Sequence, residues 1–223
     1  MAFQWYFMHA GAKAEIGAMT KFDQFKAKLS PGQTYRRADL VEWSTAVDRH
    51  LKQALQAGVL TKLSSGLYYA PKQTAFGAAP PKDATLVSTF LKGAPFLLVS
   101  PNAYNGLGVG ATQLHNMTVV YNHKRHGTFA LGGRSYVFRM KPVFPRTLSV
   151  EFLLVDLVNN LDQLGEDTED MRRRVMVRLA ATDQTALRKA VQSYGSERTK
   201  TFFNRALAAM FAERQDIPPP ASA

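Results

Sequence analysis

The chain has 223 residues, room for one large or two small domains, and its 46% hydrophobic and 20% charged residues are proportions of an ordinary globular protein. No uninterrupted apolar run approaches the ~18 residues of a membrane span, and the opening "MAFQWYFMHAGA" lacks the basic n-region of a secretory signal. The absence of cysteine excludes disulfides, thiolate metal sites and cysteine nucleophiles and fits a cytoplasmic location, while the formal net charge of +11 points to a polyanionic partner, most often nucleic acid.

Residues 1–18 show no periodic pattern and are expected to be a disordered or additional leader. "MTKFDQFKAKL" then spaces Phe22, Phe25 and Leu29 on one helical face, before Pro31 and Gly32 break it. "RADLVEW" predicts a short second helix burying Leu40, Val41 and Trp43. A third helix is expected from an N-cap at Ser44 or Thr45 to Gly58, a natural residue just past a helix end. "VLTKL" and "GLYYA" predict two strands about a Ser64-Ser65-Gly66 turn. Three helices followed by a hairpin is the order of a winged helix-turn-helix, assigned here to residues 19–72.

The Pro/Gly/Ala-rich segment 73–82 is expected to be a linker. Beyond it, a helix is predicted near Ala84–Leu91 and a buried strand at "PFLLVS", followed by a turn-prone "PNAYNGLGVG". Strands "MTVVYN", "GTFAL" and "RSYVFRMK" come next, the last two joined at Gly132-Gly133. Four helical segments complete the chain from Pro145, with Asp167, Asp183 and Ser196 as caps, before a frayed tail at 213–223. The predicted class is α+β: an N-terminal winged helix-turn-helix, then a mixed α/β domain over 83–212 that ends in a helical bundle.

On the third helix, Val47, Leu51, Ala54 and Leu55 share the apolar face, leaving Thr45, Arg49, Lys52, Gln53 and Gln56 on the other. Arg and Gln suit bidentate contact with guanine and adenine edges, while Thr and Lys suit bases or phosphates. Such polarity also marks any solvated helix face; its surroundings favour DNA. Arg36 and Arg37 precede the second helix, and Lys62, Ser64 and Ser65 lie at the hairpin tip, where backbone contacts are expected. Charge is uneven as well, with +5 in residues 1–75, +7 in 76–150 and −1 in 151–223. Lys124, Arg125, Arg134, Arg139 and Lys141 in the middle region are candidates to extend the phosphate track.

Other motifs carry less. "GLGVGA" at 106–111 matches a dinucleotide-binding pattern in form, yet it neither directly follows a strand nor has the required acid downstream. His123 and His126 are spaced as a zinc pair but lack further ligands nearby. "EDTED" before "MRRR" suits the first turn of a helix rather than carboxylate catalysis. With no P-loop and no serine elbow, no enzymatic activity, metal or cofactor is expected.

Together, "AVDRHLKQALQAGVLTKLSSGLYYAPK", "LVSPNAYNGLGVGATQ", "NMTVVYNHKRHGTFALGGRSYVFRM" and "ALRKAVQSYGSERTKTFFNRAL" resemble the AbiEi-type antitoxin family, winged-helix transcriptional regulators of type IV toxin–antitoxin systems. The resemblance spans about residues 34–212, in the order of elements more than in any single motif. It implies an N-terminal domain that binds its own double-stranded operator DNA and represses its own operon, and a C-terminal domain that counters a nucleotidyltransferase-type toxin; an operator of inverted repeats would call for two copies, though no sequence feature shows dimerisation. It places DNA contacts at Thr45, Arg49, Lys52 and Gln53, with a departure at Thr45, where a basic residue is frequent. Two alternatives stand beside it. One is a stand-alone regulator whose second domain binds a ligand or protein, and the other a nucleic-acid-processing enzyme with a winged-helix targeting module.

Overall fold

The computed structural model describes residues 19–100, 102–109, 117–163 and 168–215. The predicted leader at 1–18, the Asp167 cap, the end of the "GLGVGA" run and the tail beyond 215 lie outside the described residues. Helices and sheets are mixed along the chain, an α+β arrangement. Among the described residues, no helix is long and apolar enough to cross a membrane.

The chain enters its first helix, α1 (Lys21–Ala27), through a capping box: Thr20 Oγ1 accepts from the Asp23 amide while the Asp23 carboxylate accepts from the Thr20 amide. A strand the sequence pattern did not suggest follows, β1 (Thr34–Arg36). Three residues are too few to show alternation, and the strand exists because it pairs with a distant partner. Next come α2 (Arg37–Leu40), continued by a 3-10 turn at Val41–Trp43, and α3 (Val47–Gln56). Leu40 is buried as expected, but Val41 is exposed, since the 3-10 turn carries it off the packed helix face.

Helix α3 starts later than predicted, with Ala46 at the N-cap and no side-chain cap. Ser44 Oγ instead accepts from the Ala46 amide and is hydrogen-bonded to His50 Nδ1. His50 is buried beside Phe22 and Phe25, at centroid distances of 5.9 and 5.5 Å. Gly58 ends the helix at φ 67°, the left-handed conformation glycine adopts without steric cost.

Strands β2 (Thr61–Ser64) and β3 (Leu67–Tyr69) form the expected hairpin, and β3 lies at the centre of an antiparallel sheet of order β1-β3-β2. Leu67, Tyr68 and Tyr69 are all buried because both faces of this sheet are covered. Tyr68 belongs to the core formed with α1–α3, whereas Leu67 belongs to the core of the next part of the chain.

Where a linker was expected at 73–82, the chain folds into a second hairpin, β4 (Lys72–Thr74) and β5 (Gly77–Ala79). The Pro/Gly/Ala composition serves its turn and ends: Gly77 has φ 101°, and Thr74 Oγ1 donates to the Gly77 carbonyl across the turn. Tyr69 Oη donates to the Ala79 carbonyl at 2.8 Å and pins the hairpin to β3.

The second sheet has order β6-β7-β9-β8, from β6 (Phe96–Val99), β7 (Thr118–Asn122), β8 (Gly127–Leu131) and β9 (Arg134–Met140). Strands β7 and β9 pair in parallel and the other neighbours antiparallel. Side chains alternate across it: Leu98, Val120, Tyr136 and Phe138 join the core beneath α4 (Asp83–Phe90), while Leu97, Val99 and Tyr121 join the core beneath α6 (Val150–Asn159). A short helix, α5 (Asn102–Asn105), leads to Leu107 and Val109, which are buried in the α6 core. The remaining helices are α7 (Thr168–Leu179), α8 (Gln184–Tyr194), capped by Asp183, and α9 (Glu197–Gln215), entered through Ser196, whose Oγ accepts from the Thr199 amide. Helices α8 and α9 pack on α6.

Candidate functional site

The outer side of α3 is built by the same periodicity that buries its inner side. Val47, His50, Leu51 and Ala54 face the core, so Asp48, Arg49, Lys52, Gln53 and Gln56 are exposed, with Thr45 exposed just ahead of the helix. Arg49, Lys52 and Lys62, which is exposed on β2, form no ion pair among the described residues.

Two contacts join this face to its surroundings. The Arg37 guanidinium donates to both carboxylate oxygens of Asp48, at 2.7 and 2.6 Å, fastening α2 to the first turn of α3. The Arg37 amide donates at 2.8 Å to the carbonyl of Gly66, in the turn between β2 and β3. Arg37, the start of α3 and the Ser64–Gly66 turn are thereby brought to one end of the unit. Ser65 is exposed there and Ser64 half-buried. The Arg37 hydrogen bond and charge hold the Asp48 carboxyl below the usual carboxylate range, and Asp48 in turn raises the guanidinium.

Arg36 stands differently. Its guanidinium closes on Asp39, with Nε–Oδ2 at 2.9 Å, and its side chain is only 28% exposed. The back of the β2–β3 turn is also engaged: the Leu63 carbonyl accepts from the Gly132 amide at 3.0 Å, linking this hairpin to the β8–β9 turn.

The middle-region cations do not form one track. Arg134 pairs with Asp83 and donates to the Pro81 carbonyl at 2.6 Å. Arg139 donates to Asn160 Oδ1 at 2.8 Å, and Lys141 lies 3.4 Å from Asp156 and 4.3 Å from the centre of the Tyr121 ring. All three are half-buried and point into the fold. Lys124 and Arg125 are exposed, in a loop whose backbone is held by Asn122 Oδ1, which accepts from both amides at 2.8 and 2.6 Å. The Arg125 guanidinium lies 4.5 Å over the Phe90 ring. Strand β8 separates this loop from the Gly132 end that meets β2. His123 stacks on Phe144 at 4.6 Å and donates through Nδ1 to the Lys141 carbonyl at 2.8 Å. Among the described residues, no group of three or more His, Asp or Glu is gathered to hold a metal ion.

Sequence reasoning missed the buried polar cluster around Asp156, which is 1% exposed. Its carboxylate accepts from Tyr104 Oη at 2.7 Å, from Tyr121 Oη at 2.8 Å, and from Lys141 and Asn160. Burial first, and then the Asp156 charge, push both phenols above their ordinary range, so they remain donors. The signal was present in "VEFLLVDLVNN": an acid inside an apolar run of a helix must be buried and therefore paired.

Comparison with protein-family models, curated proteins and solved structures yielded no match to this chain.

Proposed function

We propose that this protein is a DNA-binding transcriptional regulator of the AbiEi antitoxin type, in which residues 19–72 act as a winged helix-turn-helix. The observation that carries this proposal is the outer face of α3, where Arg49, Lys52 and Gln53 stand exposed without acidic partners among the described residues, beside the Arg37 and Ser64–Gly66 end of the unit. The element order supports it: helix, strand, two helices and a hairpin, with β3 between β1 and β2, is the order a winged helix would require.

In this function α3 enters the major groove, where Arg49 and Gln53 read base edges. Lys52, Lys62 and Ser65 hold the sugar–phosphate backbone, and Arg37 joins them when phosphate displaces Asp48. Arg36, Arg134, Arg139 and Lys141 already have internal partners and are assigned no phosphate. Two copies read an inverted repeat. The C-terminal helices α6–α9 form the bundle that counters a nucleotidyltransferase-type toxin, a role resting on the family resemblance.

The test is a fluorescence-anisotropy titration of a labelled duplex from the gene's own upstream region against a scrambled duplex, at several salt concentrations. The upstream duplex binds more tightly, and affinity falls steeply with salt as counterions are released. Arg49→Ala reduces the discrimination by about 1–3 kcal/mol, whereas Lys62→Ala weakens both duplexes and lowers the salt slope by about 1. Equal binding of the two duplexes by the wild-type chain would falsify operator recognition. For the antitoxin role, co-expression with an adjacent nucleotidyltransferase-type gene restores growth that the toxin alone arrests.

A further inference from the structure

Helices α6, α7 and α9 do not close completely on one another. They leave an open cleft of about 560 Å³, within the range of roughly 300–1,000 Å³ in which small-molecule sites fall. Its apolar floor comes from Val158 of α6, Met176 of α7, and Phe202, Ala206 and Ala209 of α9. Two small residues on α9 make the hollow. The opposite side of α9 sends Phe203 and Leu207 into the core, so the cleft wall is held by a fully packed helix.

The rim has one sign of charge. Arg172, Arg198 and Arg205 line it, and among the described residues no acidic side chain does. Arg172 and Arg198 are balanced by Glu169 and Asp162, which are 75% and 67% exposed and stand outside the lining. Arg205 has no hydrogen-bond or ion-pair partner among the described residues. On α9 it lies one turn from Phe202 and from Ala209, so a planar guanidinium with no partner among the described residues stands directly beside the apolar floor. A cation or neutral polar ligand would leave that guanidinium uncompensated. A carboxylate would engage it through two parallel hydrogen bonds, with its apolar body on the floor.

We propose that this cleft binds a small organic carboxylate with an aliphatic or aromatic body, its head on Arg205 and its body against Val158, Met176 and Phe202. The site is independent of the α3 face and of DNA recognition. It gives the C-terminal helices a ligand of their own.

Isothermal titration calorimetry of the full chain tests this with octanoate, octylamine, octanol and acetate as probes. Octanoate binds saturably with one site per chain, and the other three bind at least tenfold more weakly. Arg205→Ala weakens octanoate at least tenfold, Arg205→Lys recovers part of the loss, and Ala209→Phe, which fills the cleft from an exposed position, abolishes binding. Lys26→Ala on α1 changes nothing. Circular dichroism melting checks that each variant is folded. The proposal fails if octanoate and octylamine bind alike, if Arg205→Ala binds octanoate like wild type, or if Lys26→Ala costs as much as Arg205→Ala. It fails too if octanoate does not saturate while an acidic amphipathic peptide binds through Arg205, which would make the cleft a protein-docking groove.

Discussion

Asp48 is the one acid on a helix face otherwise made of cations, amides and threonine, and its position governs what Arg37 can do. Held at 2.6–2.7 Å, Arg37 and Asp48 neutralise each other at the end of α3 that the proposed mechanism sends toward DNA. A carboxyl lowered in this way contributes stability above the ordinary carboxylate value of about 3.9 and loses it as pH falls through its folded value. Proton uptake near neutrality therefore does not release Arg37; in the proposed mechanism, competition from a phosphate does. Asp48→Asn should tighten binding to DNA of any sequence and steepen the dependence of log K on log salt by about 0.9, one further phosphate being neutralised. Anisotropy titrations at four salt concentrations measure both quantities, and weaker binding by the variant would refute the clamp.

At the scale of elements, two small structures carry large consequences. The β8–β9 turn needs Gly132 at φ 57° and Gly133 at φ 77°, and a Cβ on Gly132 would sit 3.2 Å from the Leu63 side chain. Gly132→Ala should cost about 1–2 kcal/mol from the left-handed backbone alone, visible as a fall of a few degrees in Tm, since the Gly132 amide must also keep its bond to Leu63. On α6, Asp156 depends on its donors. Tyr121→Phe removes a hydroxyl that reaches both carboxylate oxygens and should destabilise by about 1–3 kcal/mol in chemical denaturation. The same pair predicts a pH response. Phenols raised in the folded state contribute stability that is complete below the unfolded tyrosine value of about 10 and is lost as pH rises beyond it. Circular dichroism against pH should show this alkaline loss, shallower in Tyr121→Phe.

For the whole molecule, the notable fact is that β3 serves two cores. Tyr68 packs with α1–α3, while Leu67 packs with Leu86, Val120 and Phe138. Thr34 of β1 adds a hydrogen bond to the Thr85 carbonyl of α4 at 3.2 Å. The N-terminal unit is thus seated against the second sheet and should not unfold by itself. Trp43 packs against Phe25 and Tyr35 in the N-terminal unit, so its fluorescence reports that end while far-UV circular dichroism is dominated by the later helices. The two probes should give coincident urea transitions. Leu67→Ala should shift both together by about 2–5 kcal/mol; separate transitions would show two independent units.

Local chemistry made much of this legible from sequence. The apolar spacing of Val47, Leu51 and Ala54 set the buried side of α3 and with it the exposed one, because a helix repeats every 3.6 residues wherever it packs. Gly58, Gly66 and Gly132 marked their turns because only glycine enters the left-handed region without steric cost. Partnership was decided by tertiary structure alone. Nothing near Thr34–Arg36 in sequence announces a strand that exists by pairing with β3, and nothing in "KQTAFGAAPPK" announces a hairpin pinned by Tyr69. The cations Arg36, Arg134, Arg139 and Lys141 look like Arg49 and Lys52 in sequence. Only folding brings Asp39, Asp83, Asn160 and Asp156 to the first four and leaves the other two without an ion pair among the described residues, since charge is local to a residue but its compensation comes from residues that are distant in the chain or, like Asp39, turned toward it by the fold.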